Sequence, residues 1–184
     1  MKSSLVFTFL AALCVAGAAS VASAQSQGDD RAYTPFMLSL VTPLQVPPRD
    51  FNVGGLRINA IYGECHDFDG FDISALAGRA TGHANGFQAS LLANIVDGDG
   101  FGLQAGAVNY VKGQYAGLQL GLCANYAEKA KALQIGFYNG AEHIEGMQIG
   151  VINTTRTMIG LQIGLVNVIQ DNDVPFLPII NCYF

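Results

Sequence analysis

The sequence lacks tryptophan, and only 12% of its residues are charged, whereas 51% are hydrophobic. Such an apolar composition excludes an intrinsically disordered chain. Basic residues are scarce: there are 9 Lys and Arg against 14 Asp and Glu, and the net charge is −5. An acidic chain of this kind has no electrostatic attraction for nucleic acid, which excludes a nucleic-acid-binding protein. Beyond the N-terminal leader no apolar run approaches the ~20 residues of a membrane-spanning helix.

Cysteine is also sparse. Besides Cys14 in the leader, the chain contains Cys65, Cys123 and Cys182, which lie far apart in the sequence. An odd number of widely spaced cysteines indicates neither a disulfide framework nor a zinc site. Two arrangements remain open: one disulfide with one free thiol, or three free thiols.

The first residues have the form of an export signal. Lys2 precedes the apolar stretch "LVFTFLAALCVAGAA", and the small residues "ASA" stand directly before Gln25. This order of positive charge, apolar stretch and small-residue cleavage site is typical of a secretory signal peptide. The sequence therefore predicts a signal peptide over residues 1–24, a short N-terminal segment over 25–33 and a single repeat-built β domain over 34–184.

That domain is built from short repeats. Nine-residue copies such as "GMQIGVINT" and "GLQIGLVNV" recur with one polar residue near the centre, and successive centres lie 14 to 16 residues apart. The centres are Arg57, Asp72, Gln88, Gln104, Gln119, Gln134, Gln148 and Gln162. Divergent copies centred on Ser39 and near Pro178 bring the number of units to about ten. A regular repeat of this kind indicates one structural unit used many times.

Within each unit the residues alternate with a period of two. In the last full copy Leu161, Ile163 and Leu165 share one face, and Gln162 lies between two glycines on the other. The polar stretches between units, such as "DGDG" and "QDND", have the composition of turns. Because strands alternate with period two and helices do not, each unit is predicted to be one strand followed by a tight turn, in an all-β fold.

The unit G-[LFM]-Q-[IL]-G-x-x-N resembles the surface-repeat family of bacterial secreted proteins, which are built from tandem copies of this kind. The opening unit "GLRINAIYG" and the ending "FLPIINCYF" also resemble that family. The resemblance implies an outer-membrane or cell-surface location, and it implies no particular activity, ligand or catalytic residue. The chain departs from the motif where Asn94 and Asn125 lie one residue late and where Ala132 replaces the leading glycine.

Two architectures accept one short strand per unit. In an antiparallel up-and-down β-barrel of about ten strands, the Gly-Gln-Gly face lines a crowded interior and the Leu-Ile-Leu face contacts outer-membrane lipid. In the alternative, a β-solenoid with 14–16-residue rungs, the units stack in parallel and the Leu-Ile-Leu face fills the core. The unit is nearly palindromic, so that a flipped strand would place each glutamine beside a glycine. We therefore expect the barrel.

Residues with catalytic or metal-binding chemistry do not form a recognisable motif. In "GECHDFDGFD", Glu64, Cys65, His66, Asp67 and Asp69 could coordinate a metal ion, but no other Cys or His lies nearby in the sequence to complete the set. A solvated turn is the expectation there. The histidines all fall between units, and no nucleophile elbow is present. We predict no enzyme activity, no catalytic residue, no cofactor and no metal.

Arg57 and Asp72 replace glutamine in adjacent units and on the same face, so we expect an ion pair in the interior. The other centres form the predicted polar row: Gln88, Gln104, Gln119, Gln134, Gln148 and Gln162. The predicted function is that of a non-enzymatic outer-membrane or cell-surface repeat protein, either structural or a narrow pore. The alternative is a secreted β-solenoid that serves as an adhesion or binding module. The sequence identifies no protein or glycan partner.

Overall fold

The computed structural model describes residues 31–184, so the predicted signal peptide and residues 25–30 lie outside the described part of the chain. The described residues form nine strands: β1 (Tyr33–Val41), β2 (Leu44–Val46), β3 (Asn52–Cys65), β4 (Phe68–Ser74), β5 (Ala77–Ala80), β6 (Ala84–Ser90), β7 (Ala93–Val96), β8 (Gly100–Ile169) and β9 (Phe176–Tyr183). Within residues 31–184, no helix has the length and apolar character needed to span a membrane.

Successive copies of the repeat stack in parallel. Strands β3, β4, β6 and the start of β8 pair side by side, and β3, β5, β7 and β8 form a second series of pairs. Each turn of the chain, here called a coil, therefore has a long segment in the first series and a short segment in the second. This is a β-solenoid. The predicted alternative with 14–16-residue rungs is confirmed, and the prediction of an antiparallel barrel is wrong.

The direction of pairing explains why the solenoid wins over the barrel. In the parallel stack Gln88 lies beside Gln104 at the same level of neighbouring strands. Identical residues therefore meet one another, and an amide carries both a donor and an acceptor for such a contact. An antiparallel neighbour would put glycine beside each glutamine and leave the amide without a partner.

Different segments cover the two ends of the stack. At the N-terminal end β1 pairs in parallel with β3, which sets Met37 beside Arg57, and β2 folds back against β1. At the C-terminal end β9 runs antiparallel to the last part of β8 and sets Asn181 beside Gln162. The divergent copies centred on Ser39 and near Pro178 were therefore misplaced in register, and the last one runs in the reverse direction.

In seven of the eight units a glycine precedes the first apolar residue and allows the coils to stack closely, and Ala132 takes this place in the eighth. At Gly160 the backbone φ is 142°, and a Cβ atom would lie 1.9 Å from the carbonyl oxygen of Gly146 in the preceding coil. Residues with a side chain rarely adopt such a φ, and the Gly146 carbonyl oxygen is backbone and cannot move aside for a Cβ atom. The same positive φ occurs at Gly55, Gly70, Gly86, Gly102, Gly117 and Gly146.

The apolar part of the core comes from two rows at one edge of the coil. The first residue of each long segment is buried, as at Val53, Phe68 and Tyr115. The last residue of each short segment is buried as well, as at Val96 and Ile169. Several of these positions lie in stretches of turn composition: Gly100 in "DGDG", which the sequence predicts to be a turn, is buried, as is Ala130 in the similar stretch "EKAK".

Candidate functional site

The glutamine row (Arg57, Asp72 and the six glutamines from Gln88 to Gln162) runs through the interior along the solenoid axis. Gln104, Gln119, Gln134, Gln148 and Gln162 each donate an Nε2–H to the Oε1 of the glutamine one coil earlier, at 2.7 to 2.8 Å. Five of these side chains are 0–2% exposed. The long amide that is unusual in an apolar repeat is therefore paired with its own copies.

A second polar row, the asparagine row, lies inside the short segments. Its members are Asn94, Asn109, Asn125, Asn139, Asn153 and Asn167. Each of the first five donates an Nδ2–H to the next asparagine Oδ1 at 2.8 Å, and also to a backbone carbonyl of the next coil at 2.9 to 3.0 Å. These donors point towards the C-terminal end, whereas those of the glutamine row point towards the N-terminal end.

The glycine two residues after each glutamine from Gln104 to Gln162 makes room for the asparagine row. A Cβ on Gly150 would lie 2.1 Å from the Gly136 carbonyl oxygen and 2.6 Å from Asn139 Nδ2. In the first coils the arrangement is exchanged: Ser74 takes the glycine position and Gly78 takes the asparagine position, where a Cβ would lie 2.7 Å from Ser74 Oγ. The interior is so narrow that only one of the two positions carries a side chain longer than serine.

These rows reverse the expected orientation of the solenoid. Gln148 is completely buried, and its neighbour Ile149 lies on the outer side and is half-buried. The prediction that a solenoid would bury its Leu-Ile-Leu face is therefore wrong. The Gly-Gln-Gly face is internal, as had been proposed for the barrel interior, but here it lines a packed, hydrogen-bonded coil.

The structure brings Arg57 and Asp72 into direct contact, with both side chains completely buried. Asp72 Oδ1 also accepts hydrogen bonds from Asn59 Nδ2 at 2.9 Å and Ser74 Oγ at 3.2 Å. Arg57 further donates to the Arg79 carbonyl at 3.0 Å. The pair thus stands at the N-terminal end of the glutamine row, where it takes the place of two amides.

Cys65 lies beside this pair: Arg57 Nη1 donates to its Sγ at 2.8 Å. Burial raises the pKa of the Cys65 thiol to about 11, although the positive charge of Arg57 opposes that shift. Burial, the largest single cause, lowers the pKa of Arg57, but the charges of Asp72 and Cys65 and the hydrogen bonds to both together outweigh it, so this pKa is raised overall. At neutral pH the cluster therefore holds a charged arginine beside a neutral thiol, which is sealed from solvent and poorly suited to nucleophilic chemistry.

The residues of "GECHDFDGFD" are separated by the fold. Cys65 points inward, whereas His66 Nδ1 lies 3.1 Å from Asp67 Oδ1 at a corner of the coil. Asp67 Oδ1 also accepts the backbone N–H of His83 at 2.7 Å, which ties two coils together. Among residues 31–184, no three His, Cys, Asp or Glu side chains come close enough to hold a metal ion. In the same part of the chain Cys65, Cys123 and Cys182 are free thiols.

The outer side of the long segments forms an apolar face. We define it as three rows: the residues one before, one after and three after each member of the glutamine row, such as Met147, Ile149 and Val151 around Gln148. Every position in these rows is apolar in all eight coils. Leu122 is 80% exposed and Leu165 is 68% exposed. A contiguous apolar surface of this kind is a candidate interaction site.

A shallow groove of about 980 Å³ lies within the C-terminal half of this face. Its walls include Leu120, Ile135, Phe137 and Leu165, and Ile179 of β9 closes one end. Its floor is backbone at the glycines that follow each glutamine, such as Gly136. A side chain at these glycines would point inward, towards the asparagine row, so the groove is the space between the outward rows one and three residues after each glutamine.

Charged side chains lie elsewhere on the molecule. On the short-segment side Arg79 Nε contacts Asp97 Oδ2 at 2.8 Å, and Lys112 Nζ lies 2.7 Å from Asp97 Oδ1. Although its burial acts in the opposite direction, these two cations lower the pKa of Asp97. Tyr110 and Tyr126 stack beside them, with ring centroids 5.3 Å apart. The short-segment side is thus mixed in polarity, because Val108 and Val166 are also exposed there, whereas the apolar face contains no charged residue.

The sequence contains a signal for the apolar face, the repeated Leu-Ile-Leu pattern. From the sequence alone, this pattern predicts a lipid-contacting surface in the barrel or the core in the solenoid. All three rows are free of charge over eight copies, although charged residues occur in most of the stretches between copies. Comparisons of the chain with family models, curated proteins and solved structures returned no match. The function is therefore inferred from the geometry of the site.

Proposed function

We propose that this protein is a non-enzymatic docking module of the bacterial cell envelope, exported by its N-terminal signal, with the apolar face as its docking surface. The observation that carries the proposal is the inverted solenoid. The amides and the Arg57–Asp72 ion pair are inside, and an uninterrupted apolar surface is left outside. Exposing this much apolar area has a free-energy cost in water of about 25 cal/mol per Å². A surface of this kind is stabilised when a partner covers it.

The interior supports a binding role over a catalytic one. Its polar groups are paired with one another along the axis, and the thiol and carboxylate in it are sealed beneath side chains. The exposed histidines contact local groups at the corners: Asp99 N–H donates to His83 Nδ1 at 3.3 Å, and His143 Nδ1 contacts the Thr157 hydroxyl. The cell-surface location rests on the predicted signal peptide and on the family resemblance.

The test uses the full chain in a bacterial host and compares two matched lysine substitutions. Leu120→Lys puts a charge in the middle of the apolar face. Ile95→Lys puts one on the outer side of a short segment, where Ile95 is also half-buried. We expect Leu120→Lys to release the exported protein from the cell into the medium and Ile95→Lys to leave it retained. Equal retention of the two variants would contradict the docking role.

A further inference from the structure

We infer that the occupant of the apolar face is a second copy of this chain, docked face to face. This inference rests on the proposed role of that face as a docking surface. Three properties of the face support it: its area, its lack of charge and the distribution of large and small residues along it.

The area is sufficient for a stable dimer. Eight long segments, about 4.8 Å apart and each presenting five residues at about 3.3 Å per residue, give a face of roughly 600 Å². Two such faces in contact would bury about 1,200–1,300 Å², which reaches the range of about 1,200–2,000 Å² found for stable interfaces. Leu38 of β1 and Ile180 of β9 extend the same face at its two ends and are 43% and 52% exposed.

The charge distribution favours a second copy over a lipid surface. The three rows contain no charged residue, so two copies that each carry a net charge of −5 would not bring like charges together at the contact. Attraction to an anionic membrane needs basic residues beside the apolar surface. The chain is acidic overall. Arg79 and Lys112 lie on the short-segment side, paired with Asp97, and the corner cations Lys131 and Arg156 lie against Glu145 and Asp171.

The two halves of the face differ in side-chain size. In the rows one and three residues after the glutamine row, the N-terminal half contains all the alanines: Ala60, Ala75, Ala89, Ala105 and Ala107. The same rows of the C-terminal half contain Leu120, Leu122, Ile135, Phe137, Ile149, Val151, Ile163 and Leu165. Small residues therefore occupy five of the eight positions in these rows of the N-terminal half, beside Ile58, Ile73 and Leu91, whereas all eight positions in the C-terminal half are large.

A two-fold axis parallel to the strands, placed between the coils of Gln104 and Gln119, matches these halves. It lays the first coil of one copy over the last coil of the other and keeps each row over the same row. Ala105 then lies over Leu120 of the second copy, and Ala107 over Leu122. By the same rotation Ala89, Ala75 and Ala60 lie over Ile135, Val151 and Leu165. Each alanine thus meets a larger residue, as expected for an isologous interface.

The test measures mass by sedimentation velocity on the mature chain in buffer without detergent, at concentrations up to tens of micromolar. We expect the wild type and Ile95→Lys to be dimers. Leu120→Lys should weaken the dimer at least a hundredfold, and Ala105→Phe, which fills the space for Leu120, should weaken it at least tenfold. Circular dichroism and thermal unfolding of each variant would show that the solenoid itself is retained.

The exchange Ala105→Leu with Leu120→Ala in one chain is the decisive variant. Because each position lies over the other across the two-fold axis, the exchange restores one leucine over one alanine at both contacts. We expect it to recover dimerisation that Ala105→Leu alone weakens. No recovery by the exchange would overturn the proposed pairing.

The results also separate this inference from the proposed function. A wild type that remains monomeric, or that floats with phosphatidylcholine vesicles as a monomer, would overturn the second copy as the occupant. If Leu120→Lys still lost retention on the cell in that case, the docking role would stand with another partner. A dimer that depends on Leu120, in a protein whose retention does not, would support the inference and contradict the envelope role.

Discussion

Gln148 donates its Nε2–H to Gln134 Oε1 at 2.7 Å, and both side chains are completely buried in the interior of the solenoid. Each glutamine in the middle of the row has one donor and one acceptor used in this way, so the row acts as a continuous series. Its contribution to stability depends on every member being present, because a buried polar group without a partner carries a large desolvation cost.

Removing one member should therefore be costly. Gln134→Leu leaves Gln148 Nε2 without its acceptor and Gln119 Oε1 without its donor. We expect a loss of about 2–5 kcal/mol in the free energy of unfolding, measured by urea denaturation. The matched control is Gln114→Leu at an exposed corner, where we expect a change below about 0.5 kcal/mol. Similar losses for the two variants would contradict the buried ladder.

The ion pair at the end of the row should be replaceable as a unit but not in parts. Arg57→Gln leaves the Asp72 carboxylate buried without its cation, and we expect a loss of about 3–5 kcal/mol. In the double variant Arg57→Gln with Asp72→Gln, the two new amides extend the ladder. There they can supply an acceptor to Gln88 Nε2, which has no hydrogen-bond partner within residues 31–184.

We therefore expect the double variant to be as stable as the wild type or more stable. A double-mutant cycle in urea measures the coupling. If the double variant lost as much as the sum of the single variants, the pair would have a role that amides cannot take over.

The space beside the asparagine row should not accept a methyl group. A Cβ at position 150 would lie 2.1 Å from the Gly136 carbonyl oxygen, and that oxygen is backbone and cannot move away. We expect Gly150→Ala to cost about 2–3 kcal/mol, through overpacking, with a fall in melting temperature. An unchanged melting temperature would mean that the coils are spaced more widely than described.

The buried thiol predicts a loss of stability in alkaline solution. The pKa of Cys65 is raised from 9.0 to about 11 by burial, so the unfolded chain releases this proton at a lower pH than the folded chain does. The contribution of the Cys65 thiol to the free energy of unfolding is constant below pH 9, and it falls as the pH rises from 9 to 11. Two pH units at 1.36 kcal/mol each set its size at about 2–3 kcal/mol.

Cys65→Ser is the matched variant, because a serine hydroxyl can still accept from Arg57 Nη1 and does not titrate in this range. Guanidinium denaturation at pH 8 and pH 10.5 should show a smaller decrease for Cys65→Ser than for the wild type. Equal decreases would show that the Cys65 thiol is accessible to solvent in the folded protein.

The sequence was sufficient for the long segments and their spacing but not for the short segment of each coil or for the direction of pairing. The period of two around Gln162 and the interval between centres predict one strand per unit. The unit reads nearly the same in both directions, so the pattern alone does not distinguish a parallel from an antiparallel neighbour. What decides is an energetic property of the glutamine side chain: it is satisfied by its own copy and not by glycine.

The interior was assigned wrongly for a related reason. A solenoid core was expected to contain the most apolar residues, yet Ile149 is outside and Gln148 inside. The rule that apolar residues are buried fails here because each inward amide is paired with its own copy in the next coil, so a polar side chain is satisfied inside. The apolar rows that do fill the core, such as Val53 and Ile169, are spread one per coil between turn residues, where no local pattern reveals them.

The opposite directions of the two amide rows affect how this kind of protein can change in length. Each added coil contributes one side-chain dipole along the axis and one against it, so a longer stack would not accumulate an electric field at its ends. Every coil in the middle also presents the same partners above and below. Duplication or loss of a 14- or 15-residue segment of the gene would therefore leave both closing segments, β1 and β9, with the neighbours they already have. Such a protein can evolve by changing its number of coils without any other substitution.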